Sequence, residues 1–117
     1  MKGATETLGA IAKDEAVGEP LQNLALIRQT TTEFDTLPPD QVIARMRPLA
    51  QKGSPWFGSA GELLAVAHMK AGRMKDAGAT FAALAADPAV PATIRSRATQ
   101  MASVLGVETS NLSSVTR

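Results

Sequence analysis

The stretch "LLAVAHMKAGRMKDAGATFAALAADP", Leu63 to Pro88, decides the fold class of this 117-residue chain. Its apolar residues recur with the period of an α-helix on both sides of Gly72, so two helices are expected around a glycine break. Glycine readily adopts the left-handed conformation that ends helices, which makes Gly72 the expected turn. The stretch therefore predicts an antiparallel pair of helices.

The composition extends this prediction to the whole chain. Hydrophobic residues make up 44% of it and aromatic residues only 3%, and alanine contributes much of the apolar content. Alanine is the strongest helix former and has a small side chain, so helices rich in it pack closely. Alternating apolar and polar runs, which half-buried strands need, are scarce. We expect a single all-α domain with a modest core.

Proline and glycine residues divide the chain into six predicted helices. Ser54 is expected to cap the fourth helix and Pro55 to begin it. Pro48 lacks a backbone N–H, so the last turn of the third helix should be kinked or frayed. Residues 107–117 have little apolar content and are predicted to form a disordered tail, which leaves 1–106 as the helical domain. The predicted helices cover residues 3–14, 20–34, 39–51, 55–71, 74–86 and 91–105.

The chain also resembles itself. The segment "ATETLGAIAKDEAV" at 4–17 aligns with "AGATFAALAADPAV" at 77–90 at a constant offset of 73 residues. In a fainter middle copy, Val42 and Met46 stand 35 residues before Ala77 and Phe81. Two-helix units repeated at about this spacing are typical of helical-hairpin arrays, although two alanine-rich helices can also be alike by chance. The residues identical in the two outer segments are Ala4, Thr7, Ala10, Ala12, Asp14, Ala16 and Val17.

The opening stretch resembles the tetratricopeptide repeat. That repeat has a Leu-Gly pair, an aromatic residue, a turn glycine, an Ala-x-x-x-Phe pair and a later proline. The chain departs from this pattern where Ala65 replaces the glycine, His68 replaces the aromatic and Gly61 replaces an early tryptophan. The resemblance implies an α-solenoid fragment of five or six antiparallel helices. It is carried by Leu64, Ala65, His68, Gly72, Ala77, Phe81 and Pro88.

A longer pattern is similar to one bacterial family. The segment "LQNLALIRQ" (21–29) and the segment "PLAQKGSPWFGSAGELLAVAHMKAGRMKDAGATFAALAADPAVPATIRSRA" (48–98) resemble the repeat domain of the ancillary SecYEG translocon subunit (YfgM-like). Members of that family carry one transmembrane anchor and a periplasmic repeat domain. The resemblance implies a scaffold at the periplasmic face of the inner membrane that contacts the translocon, secreted polypeptides or periplasmic chaperones. The anchor is not among these residues, so membrane attachment would depend on residues beyond them.

Stacked helix pairs leave a concave face lined by the first helix of each pair, and we predict that this face binds a protein or peptide. In the most recognisable copy, residues spaced by three and four fall on that side of the helix. A methionine among charged residues suits adaptable contacts, whereas the alternative is an ordinary solvated helix face. The predicted protein-binding residues are Ser59, Glu62, Val66, Met69 and Lys70.

The sequence does not predict nucleic-acid binding, a membrane span, a metal site or catalysis. The net charge of +1 gives no field that would attract nucleic acid, and no apolar run approaches the roughly 20 residues of a membrane span. Cysteine is absent and His68 is the only histidine, so neither a thiolate nor a two-histidine metal site is available within the chain. His68 is expected to pack between helices. We therefore predict no enzymatic activity, no metal and no cofactor.

The side chains that should build the core can also be named. Phe81 is expected to be its main filler, while one of Trp56 and Phe57 should pack inward and the other remain partly exposed. Glycines within predicted helices are expected to permit close helix contact, which would offset their cost of roughly 1 kcal/mol each relative to alanine. These glycines are Gly58, Gly61 and Gly78.

The alternative to a partner-binding scaffold is a structural or oligomerisation domain. Its concave face would then be filled by its own helix or by a second copy, giving a homodimer. The first predicted helix favours this alternative, because its apolar stripe at Leu8 and Ile11 lacks a preceding partner helix.

Overall fold

The structure is a computed structural model that describes residues 8–10, 12–13 and 18–106. These residues form helices, turns and connecting segments without any strand, so the all-α prediction is confirmed for them. Residues 8–10 and 12–13 are helical, as predicted. The rest of the first predicted helix and the tail at 107–117 lie outside the described residues. The helices that follow are α1 (Glu19–Glu33), α2 (Pro39–Met46), α3 (Phe57–Lys70), α4 (Met74–Ala86) and α5 (Ala92–Val104).

The predicted bounds hold for α4, and they hold for α1 and α5 to within one residue at each end. The prediction that the third helix reaches residue 51 is wrong, because α2 ends at Met46. Pro48 has no N–H to donate to the carbonyl of Ala44, so one helical hydrogen bond is missing there. The N–H of Leu49 donates to the carbonyl of Met46 at 2.9 Å, which is a tighter turn bond, while the N–H of Ala50 keeps the helical acceptor, the same carbonyl, at 2.8 Å. Residues 47–49 thus form the irregular last turn that Pro48 predicts.

The predicted start of the fourth helix is also wrong. α3 begins at Phe57, with Trp56 as its N-cap residue. The Ser54 hydroxyl oxygen accepts the N–H of Trp56 at 3.1 Å, and the Ser54 carbonyl accepts the N–H of Phe57 at 3.1 Å. These two bonds close a separate turn ahead of the helix. Ser54 and Pro55 therefore precede α3 instead of capping and starting it.

Gly72 ends α3 as predicted, with a φ of +79°. Its N–H donates to the carbonyl of Met69 at 3.0 Å, and the N–H of Arg73 donates to the carbonyl of His68 at 2.8 Å. This pair of bonds is the Schellman arrangement, which requires a left-handed residue after the helix and so favours glycine. The turn returns the chain so that α4 packs along α3.

Two clusters of buried apolar side chains meet at α3. Phe81 is 1% exposed and has the largest volume among the fully buried residues, which confirms its predicted place in the core. Phe57 is buried and Trp56 half-buried, as expected for this pair. The C-terminal cluster contains Phe57, Ala65, Ala77, Phe81, Leu84, Val90, Ala98 and Ala102. The N-terminal cluster contains Ile27, Val42, Ile43, Met46, Ala60, Leu64 and Ala67.

Gly58 and Gly61 let α3 approach its neighbours closely, as predicted. A Cβ at Gly61 would lie 2.9 Å from Cδ2 of Leu84 on α4. A Cβ at Gly58 would lie 3.3 Å from Cδ1 of Ile94 on α5. Larger residues would press against these side chains, so close packing offsets the helix-propensity cost of the two glycines.

Alternate helices recur at a nearly constant spacing along the chain. Each helix packs on the next one in the chain, and α3 also touches α1 and α5. α2 and α4 begin 35 residues apart, and so do α3 and α5. Side-chain contacts between alternate helices join residues separated by 35 positions (Glu62 and Arg97) and 36 positions (Phe34 and Lys70). The molecule is elongated, with extents of 50 × 27 × 20 Å.

Candidate binding groove

An open groove runs along α3, with α1 on one side and α5 on the other. It encloses about 360 Å³. Because α1, α3 and α5 alternate with α2 and α4 in the chain, the groove is built from every second helix. Its lining residues are Leu24, Ile27, Arg28 and Thr31 from α1, Ser59, Glu62 and Leu63 from α3, and Ile94 and Arg97 from α5.

The floor of the groove is apolar and its rim is polar. Ile27 is 6% exposed, and Leu24, Leu63 and Ile94 are half-buried. Leu63 packs against the N-terminal cluster and Ile94 against the C-terminal cluster, so both cores support the floor. The exposed lining residues are Arg28, Thr31, Ser59 and Arg97. The groove thus offers partly accessible aliphatic carbon between hydrogen-bonding groups.

An ion pair joins α3 to α5, one wall of the groove. Nε and Nη2 of Arg97 donate to the two carboxylate oxygens of Glu62, at 2.7 and 2.9 Å. The hydrogen bond to Glu62 raises the pKa of the Arg97 guanidinium above its ordinary value. This two-bond geometry fixes both side chains relative to each other and links α3 to α5. The negative charge of Glu62 is therefore already matched within the protein.

The one remaining charged residue of the groove lining, Arg28, is positive. Arg28 is exposed on the rim and has no carboxylate partner among the described residues. Glu33, further along α1, pairs with Arg45 of α2 at 3.0 Å. Beyond the groove, Nζ of Lys70 lies 4.7 Å from the centre of the Phe34 ring and donates to the Phe34 carbonyl at 3.3 Å.

The predicted binding residues divide into three groups. Ser59 and Glu62 line the groove. Lys70 is exposed and contacts Phe34 at the end of α1. Val66 and Met69 are half-buried and pack against the C-terminal cluster, so part of their surface belongs to the core. That these five residues bind a partner stays a prediction.

Residues on the neighbouring helices complete the groove and were not among the predicted binding residues. They are Leu24, Ile27, Arg28 and Thr31 on α1 and Ile94 and Arg97 on α5. The repeat spacing is the signal that could have found them. A step of 35 residues from Glu62 leads forward to Arg97 and backward to Ile27. The same step relates Val42 and Met46 to Ala77 and Phe81 in the second helix of each pair, and extending it to the first helix identifies both walls.

His68 lies in a different cavity, on the side of α3 that faces α2. It is 6% exposed, as its predicted packing role requires. The cavity encloses about 390 Å³. Arg73 pairs with Asp40 across it at 2.9 Å and ties the α3–α4 turn to α2. The lining residues are Asp40, Ile43, Ala44, Arg47, His68, Arg73 and Asp76.

The environment of His68 disfavours the charged imidazole. Burial lowers the pKa of His68 below 6.5, nearby Asp76 acts in the opposite direction, and Arg47 and Arg73 add to the lowering. The buried Nδ1 atom has no hydrogen-bond partner among the described residues. An unpaired buried nitrogen costs stability and does so more when the ring is charged.

No protein-family model matches the chain, and no curated protein or solved structure matches it either. Over the described residues, none of the helices combines the length and the apolar character that a membrane crossing requires. Within the same residues, no three His, Cys, Asp or Glu side chains come together in a way that could hold a metal ion.

Proposed function

We propose that this protein is a non-enzymatic scaffold that binds polypeptide segments in the groove formed by α1, α3 and α5. The observation that carries the proposal is the construction of this groove from alternate helices, with an aliphatic floor and a polar rim. Such a surface contacts apolar side chains while its rim stays solvated, as in grooves that bind peptides reversibly.

The recurring spacing supports a tetratricopeptide-like array as the architecture behind this groove. Val42 and Met46 on α2 and Ala77 and Phe81 on α4 are buried at positions 35 residues apart. Equivalent residues thus fill the core between successive units. In a stack of such units, the first helices line one continuous face, which α1, α3 and α5 would form here.

The outer face of α5 supports an array that ends at this helix. Its exposed side chains are polar over most of its length, and a polar outer face is what a terminal unit needs to remain in solution. The exceptions are Ala92 at the first position of α5, which is exposed, and Val104 at the last position, which is 76% exposed. The polar exposed residues outside the groove lining are Thr93, Ser96, Thr99, Gln100 and Ser103.

A place at the periplasmic face of the bacterial inner membrane, near the Sec translocon, is proposed from the sequence resemblance alone. The partners would then be secreted polypeptides, chaperones or the translocon. Fractionation of cells that produce the natural protein tests this proposal. Recovery in the periplasm or with the inner membrane supports it, and recovery with the cytosol rejects it while leaving the groove proposal intact.

Binding of a labelled, permanently unfolded model polypeptide tests the groove proposal. Fluorescence anisotropy should rise and saturate as the protein is added. The variant Thr31→Trp places a large side chain at an exposed groove position and should weaken binding at least tenfold. Ala79→Trp is the matched control, because Ala79 is an exposed position of α4, outside the groove lining.

Three outcomes count against the groove proposal. Unchanged anisotropy shows that the protein does not bind unfolded polypeptide. Equal weakening by both tryptophan variants shows that binding takes place elsewhere. Light scattering on the same samples tests whether a second copy fills the groove. A dimer that Thr31→Trp dissociates, and Ala79→Trp does not, would favour the oligomerisation alternative.

A further inference from the structure

We propose that the groove selects extended segments that combine aliphatic and acidic residues, with a segment carboxylate pairing with Arg28. This inference rests on the proposed function and adds the chemistry of the bound segment. It follows from three observations on the groove: its size, the balance of its charges, and the hydrogen bonds its lining side chains already make.

The size of the groove favours an extended segment. A volume of about 360 Å³ lies at the small end of the roughly 300–1,000 Å³ range of ligand clefts. An extended chain places alternate side chains on one side, so two or three aliphatic side chains can reach the floor. Leu24, Leu63 and Ile94 are the half-buried carbons they would meet.

The charges of the groove favour a negative partner. Of the three charged lining residues, Glu62 and Arg97 neutralise each other through two hydrogen bonds. Arg28 is the one lining cation without a carboxylate partner in the described part of the chain. A bound acidic residue would gain an ion pair there, whereas a bound basic residue would face Arg28 without an unpaired carboxylate among the lining residues.

The hydrogen bonds within the groove leave Arg28 as the main charged donor. The hydroxyl of Thr31 donates to the carbonyl of Ile27 at 2.8 Å, so that hydrogen is already used. Nε and Nη2 of Arg97 are likewise occupied by Glu62. Arg28 follows Ile27 on α1, and both residues line the groove. When a carboxylate of the bound segment pairs with Arg28, an aliphatic residue next to that carboxylate in the segment lies over the floor. Acidic and aliphatic residues close together in the segment would meet both requirements.

Three synthetic peptides of equal length test this selection by isothermal titration calorimetry. The first combines leucine with glutamate, the second replaces each glutamate by lysine, and the third replaces each leucine by serine. At low salt the first peptide should bind about five to ten times more tightly than the second. The third should bind at least tenfold more weakly than the first, because it has no aliphatic side chains for the floor.

Variants of the protein show whether Arg28 causes the preference. Arg28→Gln should reduce the difference between the glutamate and lysine peptides to about twofold or less, and Arg28→Glu should reverse its sign. The matched control is Lys75→Gln, which removes an exposed cation of α4 outside the groove lining and should leave the preference unchanged. Thermal unfolding of each variant verifies that the fold is retained.

The outcomes separate this inference from the proposed function. Equal binding of the glutamate and lysine peptides, or a preference that Arg28→Gln leaves unchanged, overturns the selection and leaves a groove that binds polypeptide without regard to charge. Failure of all three peptides and of the unfolded model polypeptide to bind rejects the proposed function and this inference together.

Discussion

Helices α3, α4 and α5 are held together differently from α1 and α2. The C-terminal cluster contains two phenylalanines, and the glycines of α3 let that helix pack closely against α4 and α5. α1 buries only Ala25, Ile27 and Thr30, and α2 is eight residues long. The comparison indicates that α3 to α5 form the stable platform of the molecule, while α1 is a thinly packed wall of the groove.

The largest expected effect is in the platform. Phe81→Ala should lower the free energy of unfolding by about 3–5 kcal/mol, because Phe81 is fully buried and the cavity it leaves would remain partly open. Phe34 directly follows α1 and its side chain is half-buried, so Phe34→Ala should lower the free energy of unfolding by about half as much. Urea unfolding measures both changes. A greater loss for Phe34→Ala would reverse the assignment of platform and wall.

The next effect concerns the closest helix contact. Gly61→Ala places a Cβ 2.9 Å from Cδ2 of the fully buried Leu84. Overpacking costs about 1–3 kcal/mol and the gain in helix propensity returns about 1 kcal/mol, so a net loss of about 1 kcal/mol is expected. Gly58→Ala is the milder comparison, since its nearest contacts are 3.3 Å away. The smaller repulsion there should roughly cancel the gain in helix propensity and leave stability nearly unchanged. Stabilisation by Gly61→Ala would show that the platform is loosely packed.

His68 lies where the platform meets α2, and its effect depends on pH. Its pKa is lowered in the folded state by burial, so the unfolded chain binds the proton more tightly. Stability is therefore full above the unfolded pKa of 6.5 and falls as the pH drops through the lower, folded pKa. His68→Phe should abolish this dependence.

The histidine variant has a second expected consequence. Phenylalanine removes the unpaired Nδ1 atom, so His68→Phe should raise the free energy of unfolding by about 1 kcal/mol at neutral pH, and by more in acid. Chemical unfolding at about pH 7.5 and about pH 5 measures the change. Equal pH dependence in the variant and the natural sequence would mean that other groups carry the effect.

The smallest expected effect is at the join between α1 and α2. Glu33 and Arg45 form a partly exposed ion pair, and Nη1 of Arg45 also lies 3.4 Å from the hydroxyl of buried Thr30. Glu33→Gln should lower stability by about 0.5 kcal/mol, a typical value for such pairs. The loss should shrink in high salt. A salt-independent loss of several kcal/mol would show that this join is a main support of the fold.

The contrast between the two regions also explains what the sequence could predict. α4 was located to the residue, because Gly72 fixes its start and its apolar residues keep one helical period up to Asp87. The end of α2 and the start of α3 differ from the prediction, because turn hydrogen bonds at Met46 and Ser54 compete with the helix there. Proline marks such a region but does not fix which carbonyl accepts the last bond.

The groove was only half predictable for a related reason. The period of α3 places Ser59 and Glu62 on one side, and both line the groove. The walls come from α1 and α5, and their positions depend on how the helix pairs stack. Val66 and Met69 show the same limit, because both pack partly against the C-terminal cluster. The helical period shows which residues share one face of a helix. It does not show which other helices pack against that face.

Methyl-detected NMR during titration with the leucine–glutamate peptide tests the central claim most directly. Binding in the groove should shift the methyl signals of Leu24, Ile27, Leu63 and Ile94, while those of Val42, at the centre of the N-terminal cluster, stay in place. Saturable shifts confined to these groove residues are the expected result. Shifts confined to residues outside the groove, or no shifts at peptide concentrations that saturate calorimetry, would contradict the account.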